Sequence, residues 1–306
     1  MIAVGGENLI DLIQIGEAGG IPQFQALPGG SCYNCALAAA RQNQRVTYLT
    51  PISKDNLGVR LADRLLADQI SLAARSEAPS SLAVVTLKNS IPSYEFYREA
   101  TAEREISFDG LVKILPPDTS LFHIGSLALS SGADAEIWAD FFEHCVASGV
   151  LTSYDPNVRA ALVKDRLGYL ERVFRLMRTC SILKLSDEDL AYIFPNDEID
   201  TAFQNILDQT SATLVVLTLG HKGCKVVGKG FEFSVEADKA TPLIDTVGAG
   251  DTFMGALLGE VISRGFTTWE KLEGINEETA RAMASHASFC AARNCESSGC
   301  NPPYKS

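Results

Sequence analysis

The segment with the clearest chemical potential is Asp245-Thr-Val-Gly-Ala-Gly-Asp-Thr-Phe253, a Gly-Ala-Gly turn running straight into the helical pattern Phe253-Met-Gly-Ala-Leu-Leu258. Gly248 and Gly250 let the backbone turn sharply and approach a ligand closely, while the free amides and dipole of a helix start attract an anion. A phosphate fits there. Asp251, in the first turn of that helix, is a carboxylate beside a phosphate site, so it is better suited to take a proton than to hold the anion. A second segment, Pro28-Gly-Gly-Ser-Cys-Tyr-Asn-Cys-Ala-Leu-Ala-Ala-Ala-Arg41, sets Gly29 and Gly30 before a helix that carries Asn34 one turn in. Exposed amides and a side chain that both donates and accepts suit vicinal hydroxyls. Read alone, each segment is equally an ordinary turn: an Asp-capped helix in the first, a tight strand-to-helix connection in the second.

Both segments need a rigid frame. Apolar β-branched runs alternate with helical periodicity through most of the chain, the pattern of parallel strands joined by crossover helices, which predicts an α/β fold. Strands are expected at 2–4, 46–52, 82–87, 120–124, 150–154, 181–185, 214–219 and 225–227. Helices are expected at 33–42, 56–68, 133–148, 162–178, 188–194, 201–210, 251–263 and 277–292. Residues 14–27 and 94–105 break the alternation: short, mixed and extended-looking, they read either as a lid leaving the main sheet or as two unrelated surface loops.

Composition narrows the function classes. The chain has 306 residues with 26 Lys and Arg against 38 Asp and Glu, a formal net charge of −12. That balance disfavours nucleic acid, whose binding needs a basic field, so any phosphate must be held by local groups. No apolar run approaches the roughly 18 residues needed to cross a bilayer, and no Lys or Arg precedes Arg41, so the basic start of a secretory signal is missing. A cytoplasmic location with no membrane partner is the expectation. Eight cysteines are too few to staple a chain of this length and read as buried or free thiols; Cys32-x-x-Cys35 has metal-ligand spacing but no second pair to complete a zinc site. No His-Glu-x-x-His, Gly-x-Ser-x-Gly or Gly-x4-Gly-Lys-Ser/Thr pattern occurs. The Gly-x-Gly-x-x-Gly turn of a Rossmann oxidoreductase is missing after the first strand.

The full string Asp245–Phe253 resembles the C-terminal signature of the ribokinase-like (PfkB-type) carbohydrate kinases, and the 28–41 segment resembles their N-terminal Gly-Gly signature. Further matches are Gly6-Glu-Asn-Leu-Ile-Asp11, Tyr94-Glu-Phe-Tyr-Arg98, Phe122-His-Ile-Gly-Ser126, Tyr154-Asp-Pro-Asn-Val-Arg159, Leu217-Thr-Leu-Gly220 and Cys295-Glu-Ser-Ser-Gly-Cys-Asn-Pro-Pro303. They carry the resemblance over about residues 2 to 303 and bring it nearest to bacterial fructokinases. It implies one kinase domain over 1–306, a three-layer α/β sandwich with a mostly parallel central sheet, and a small β lid from about 13–27 and 82–105. It also implies a site. Asp251 is the general base, with the amides of Gly248, Ala249 and Gly250 around the transferred phosphoryl group. Asp11, Gly29, Gly30, Asn34, Arg98, Asp155, Asn157 and Arg159 lie at the sugar and phosphates, and Lys184, Ser186, Thr218, Gly220 and Gly223 at ATP. Where many relatives have Asn-x-x-Glu, this chain has Ser186 and Asp189, which leaves the shorter Asp189 a water-mediated role toward Mg2+. Carbonyls around Asp245 and Val247 are the family's monovalent-cation site, here with no basic residue near Ser297 to match, so a potassium requirement is an open expectation.

The resemblance implies ATP-dependent phosphorylation of a sugar primary hydroxyl, D-fructose to fructose 6-phosphate, with 2-keto-3-deoxygluconate, ribose or a nucleoside as alternative acceptors. Phosphoryl transfer needs an aligned hydroxyl, a proton acceptor and stabilisation of the equatorial oxygens, and the sequence offers all three. A catalytically silent sugar- or nucleotide-binding regulator on the same fold is the alternative from another class, yet a binder has no use for a base beside the phosphate. A homodimer formed through the lid is a further expectation of the resemblance.

Overall fold

The computed structural model describes residues 1–88 and 91–305, and among these the side chains of 87, 88 and 91–94 stand outside the description. Residues 89 and 90 of the expected lid, and the Tyr94 side chain in the Tyr94–Arg98 match, therefore fall outside it. The strands in chain order are β1 (Ile2–Val4), β2 (Leu9–Ala18), β3 (Ile21–Gly29), β4 (Val46–Tyr48), β5 (Ile52–Ser53), β6 (Ser71–Leu72), β7 (Arg75–Ser76), β8 (Ser81–Lys88) and β9 (Ile91–Tyr97). They continue with β10 (Leu121–Gly125), β11 (Leu151–Asp155), β12 (Ile182–Ser186), β13 (Leu214–Thr218), β14 (Cys224–Gly228) and β15 (Phe231–Val235). The helices are α1 (Ser31–Arg41), α2 (Asn56–Ala67), α3 (Phe108–Ile114), α4 (Ala133–Ala147), α5 (Arg166–Met177), α6 (Asp187–Ile193), α7 (Ile199–Leu207), α8 (Ala249–Ser263), α9 (Trp269–Glu273) and α10 (Glu277–Asn294).

Among the described residues the main sheet runs β15-β14-β13-β12-β11-β10-β1-β4-β6. From β13 to β6 every pairing is parallel. Alternate side chains of these strands enter two separate cores. Ile2 and Val4 pack with α1, α2, α8 and α10 on one face, while Ala3, Phe122 and Ile124 join Trp138, Phe141 and Phe142 on the other. Burying each large apolar side chain contributes roughly 1.5–3 kcal/mol, so helices covering both faces account for the continuous apolar strands. The three-layer α/β sandwich expected from the sequence is the architecture observed.

Local departures have local reasons. The 46–52 run splits into β4 and β5 with Pro51 between them, a residue with no N–H to donate to a ladder. The 225–227 strand returns antiparallel to β13, because the short turn through Gly220 leaves no length for a crossover. The helix expected from 162 begins at Arg166, after a single 3-10 turn over Ala160–Leu162.

A second sheet, ordered β3-β2-β8-β9, stands apart from the first. β2 and β3 form a hairpin whose turn uses Gly19 and Gly20 at φ of 60° and 75°, the left-handed pair a tight two-residue hairpin demands. Ile15, Ile21 and Tyr97 leave it with exposed apolar side chains.

Helix α8 is buried from Asp251 to Val261 and packs between α1 and α10. Its close approach to α1 depends on Gly255, where an added Cβ would lie 2.4 Å from the Cys35 carbonyl oxygen. That approach brings the N-terminal ends of α1 and α8 together.

Candidate active site

The side chains of interest gather at the carboxyl ends of the parallel strands, where open α/β sheets bind ligands. Helix α8 starts at Ala249 after Gly248, whose φ of 75° places it in the left-handed region. The Ala249 amide donates to the Thr246 carbonyl at 3.2 Å, and the Thr252 amide to Gly248 at 2.8 Å. Among the described residues, the amides of Gly250 and Asp251 have no protein acceptor. Of the three expected amides, Ala249's donates to Thr246, while those of Gly248 and Gly250, like that of Asp251, are without a protein acceptor among the described residues, at the positive end of a 15-residue helix that suits an anion.

Lys184, on β12, adds positive charge. Its Nζ lies 3.8 Å from the point a Cβ on Gly250 would occupy, and 2.8 Å from Asp155 Oδ2. Burial works against the Lys184 charge, but Asp155 beside it prevails and the net shift of its pKa is upward. The partner is less settled: burial pushes Asp155 to about 6 although Lys184 opposes this, and Asp155 Oδ1 is buried without a hydrogen-bond partner.

The Asp251 carboxylate, 9% exposed, is the centre of the cluster. Oδ2 accepts from Asn34 Nδ2 at 2.9 Å, and Oδ1 accepts from Ser31 Oγ at 2.7 Å and, more weakly, from Asn157 Nδ2 at 3.4 Å. Burial raises its pKa above the ordinary Asp value, and the donors from Asn34 and Ser31 only partly offset this. A carboxylate so placed is a better proton acceptor than an exposed one. Asn34 Oδ1, buried and unpartnered, is left as an acceptor for a ligand hydroxyl.

Asp11 approaches from β2. Burial moves its carboxyl up to about 6, with Arg159 opposing the shift and Asp251 adding to it. Gly29 makes room for it, since a Cβ there would sit 2.2 Å from Asp11 Oδ2. Gly30 has a φ of 115° and would drive a Cβ to 2.5 Å from the Glu7 carbonyl oxygen, so this turn into α1 requires glycine. Asn157 also holds left-handed backbone, at φ 37°, in the loop after β11, and Arg159 two residues on is exposed and bears electrostatically on Asp11 and Asp251.

Several expected site residues hold partners within the protein. Arg98 is buried, with its guanidinium bound to both oxygens of Glu103 at 2.6 and 3.1 Å and to the Leu127 carbonyl at 3.2 Å. These bonds use three of its five N–H groups and anchor the chain just after β9. Asp189, expected near magnesium through water, accepts from the Val158 amide at 2.6 Å and from the amide and hydroxyl of Ser186 at 2.7 Å each. Ser186 and Asp189 form a capping box at the start of α6, and the Val158 bond ties that helix to the Asn157–Arg159 loop. At the expected nucleotide end, Thr218 donates to the Leu185 carbonyl at 3.2 Å, and a Cβ added to Gly220 would meet nothing within 4 Å, so that glycine opens onto free space. Gly223 packs against β15, where a Cβ would meet the Val235 carbonyl oxygen at 2.0 Å, which makes it a structural glycine. Around the expected cation loop, Asp245 accepts from the amides of Val247 and Gly299, and the Val247 carbonyl accepts from Asn294 Nδ2 at 2.8 Å.

Ser31 and Glu7 were not singled out by sequence reasoning. Ser31 bonds Asp251, and Glu7 Oε1 accepts the Ser31 amide at 2.7 Å. The only signal for Ser31 is its place directly after Gly29-Gly30; for Glu7, in the short loop between β1 and β2, there is its acidity alone.

Comparison with known proteins gives the family and the fold. The model of the pfkB family of carbohydrate kinases matches residues 1–306. A fructokinase of Rhizobium leguminosarum bv. trifolii is 31% identical over 283 residues, covering 92% of this chain and 86% of that protein. Among solved structures, a fructokinase from Xylella fastidiosa with bound ATP superposes with a TM-score of 0.88 at 22% identity, covering 98% of this chain and 93% of that one. A Vibrio cholerae O395 fructokinase bound to fructose, ADP and calcium gives 0.82 at 24% identity over 97% and 93% of the two chains. A match over the whole length, together with a carboxylate at the open N-terminus of a glycine-preceded helix, places this chain in the pfkB family of carbohydrate kinases.

Proposed function

We propose that the protein is an ATP-dependent fructokinase that transfers the γ-phosphoryl group of ATP to the primary hydroxyl that becomes fructose 6-phosphate. The observation that carries this reading is the Asp251 carboxylate at the unoccupied amides of α8, braced by Asn34 and Ser31. Asp251 accepts the proton of the attacking hydroxyl, while the amides of Gly250 and Asp251 and the Lys184 ammonium face the phosphoryl oxygens as their charge shifts. Asn34 Oδ1 and Asp11 take hydroxyl hydrogens of the sugar, Arg159 closes the mouth, and Gly220 leaves space for the nucleotide. The sheet β3-β2-β8-β9 acts as a lid that keeps water from the phosphoryl group, and its exposed apolar side chains offer a surface for a second copy.

The donor set fits a nucleotide with a divalent cation. Asp155 Oδ1 is a buried, unpartnered carboxylate oxygen beside the anion site, and it would reach Mg2+ through water; Asp189, already holding three hydrogen bonds, is less available. When bound, magnesium draws negative charge from the β- and γ-phosphates. A monovalent ion near Asp245 would use the remaining lone pairs of the loop carbonyls, since the Val247 carbonyl already holds Asn294.

An ADP-release assay across fructose, ribose, a nucleoside and 2-keto-3-deoxygluconate tests reaction and acceptor together. Turnover on fructose above the others is expected. Turnover on the acid sugar alone would reassign the acceptor, with Arg159 pairing to its carboxylate, and ADP release on none would leave the protein a binder.

A further inference from the structure

We infer that Ser31 is a positioning residue for the reaction, its hydroxyl orienting the Asp251 carboxylate and favouring its ionised form. This rests on Asp251 being the proton acceptor. The direction of the bond is fixed by its neighbours. An ionised carboxylate only accepts and an amide nitrogen only donates. Ser31 Oγ lies 2.8 Å from Asn157 Nδ2 and 2.7 Å from Asp251 Oδ1, so its one hydrogen points at Asp251. The result is a directed chain from Asn157 through Ser31 to the carboxylate.

Ser31 is itself held. It is the first residue of α1, whose preceding Gly30 supplies no side-chain cap. Glu7 supplies one from another segment, accepting the Ser31 amide at 2.7 Å. Glu7 is 1% exposed, and its loop is fastened by the Tyr48 hydroxyl to the Glu7 carbonyl at 2.9 Å and by the Gly6 amide to Thr50 at 2.8 Å. The hydroxyl that meets Asp251 is thus mounted on a fixed backbone.

The surroundings make this donor matter. Asp11 from β2, Asp155 from β11, Lys184 from β12, Arg159 from the loop after β11 and the buried thiols Cys32, Cys35 and Cys300 all bear on Asp251 electrostatically. Burial disfavours the charge, and Asn34 and Ser31 are the side chains closest in opposing it. Asn34 also serves the sugar. Ser31 is the support that the substrate does not share.

The test is the pH dependence of kcat at saturating sugar and ATP for Ser31→Ala, with Ser31→Cys as a near-isosteric second variant. Losing the hydroxyl should move the acid limb up by about one pH unit, the size of one hydrogen bond to a charged group. The alkaline plateau and the KM for ATP should stay near wild type, and Cys should shift the limb less in the same direction. Thermal melting and ATP calorimetry establish that each variant is folded. An unmoved limb in a folded, active variant overturns the proposal. Asp251→Asn separates the two readings: if that variant turns over normally the base assignment fails, whereas if it is inactive while Ser31→Ala keeps the wild-type limb, only the role of Ser31 fails.

Discussion

The two walls of the cleft are built from different materials. In the function proposed above, the phosphate wall is mostly backbone: the amides of Gly250 and Asp251 at the head of α8, with Lys184 beside them, all presented by two elements. The proposed sugar wall is mostly side chain, with Asp11 from β2, Asn34 from α1, and Asn157 and Arg159 from the loop after β11. A backbone wall tolerates changes of side chain so long as the turn survives and binds any phosphate of the right shape. A side-chain wall chooses among hydroxyl patterns and can be altered one group at a time. Asp251 belongs to both, since its amide faces the anion and its carboxylate joins the polar cluster.

That difference can be broken at three points. Replacing Asp251 by Asn keeps shape and removes the base; turnover should fall by roughly 10² to 10⁴-fold while calorimetry finds both sugar and ATP still bound. Next, Gly250→Ala adds a methyl to the backbone wall. Its Cβ would stand 3.8 Å from Lys184 Nζ, an ordinary contact, so the fold should hold. With the methyl intruding on the anion, kcat/KM for ATP should drop on the order of 10 to 100-fold and sugar affinity should be unaffected. The smallest effect is expected from Asp11→Asn on the other wall: a rise of about tenfold in sugar KM, with ATP parameters unchanged. Because burial holds the Asp11 carboxyl near 6, wild-type sugar KM should climb as pH falls through that value, where protonation removes an acceptor. In Asp11→Asn this climb should flatten. Equal responses of both substrates to either wall's variant would show that the walls are not separate.

The same contrast explains what could be read in the sequence. The phosphate wall is local: Gly248, Gly250 and Asp251 lie within four positions, so turn chemistry and helix-start physics are visible in the string itself. The parallel sheet was legible for a similar reason, since strands buried on both faces read as unbroken apolar runs. The sugar wall joins segments more than a hundred residues apart, and the Asp251 carboxylate reaches Asn34 and Ser31 where Gly255 lets α8 approach α1 closely. Ser31 was missed on that account. Arg98 and Asp189 show the complementary limit: their residue types suit a ligand site, and the structure gives them Glu103 and Ser186 as partners inside the protein. Nothing in a one-dimensional pattern distinguishes a guanidinium waiting for a ligand from one already paired.

The most direct test of the central claim is the structure of the complex with fructose and a non-hydrolysable ATP analogue. The acceptor hydroxyl oxygen should lie within about 2.6–3.2 Å of an Asp251 carboxylate oxygen, with the γ-phosphoryl group on the amides of Gly250 and Asp251. A complex in which that hydroxyl turns away from Asp251, or in which the phosphoryl group binds away from the α8 N-terminus, would contradict the account.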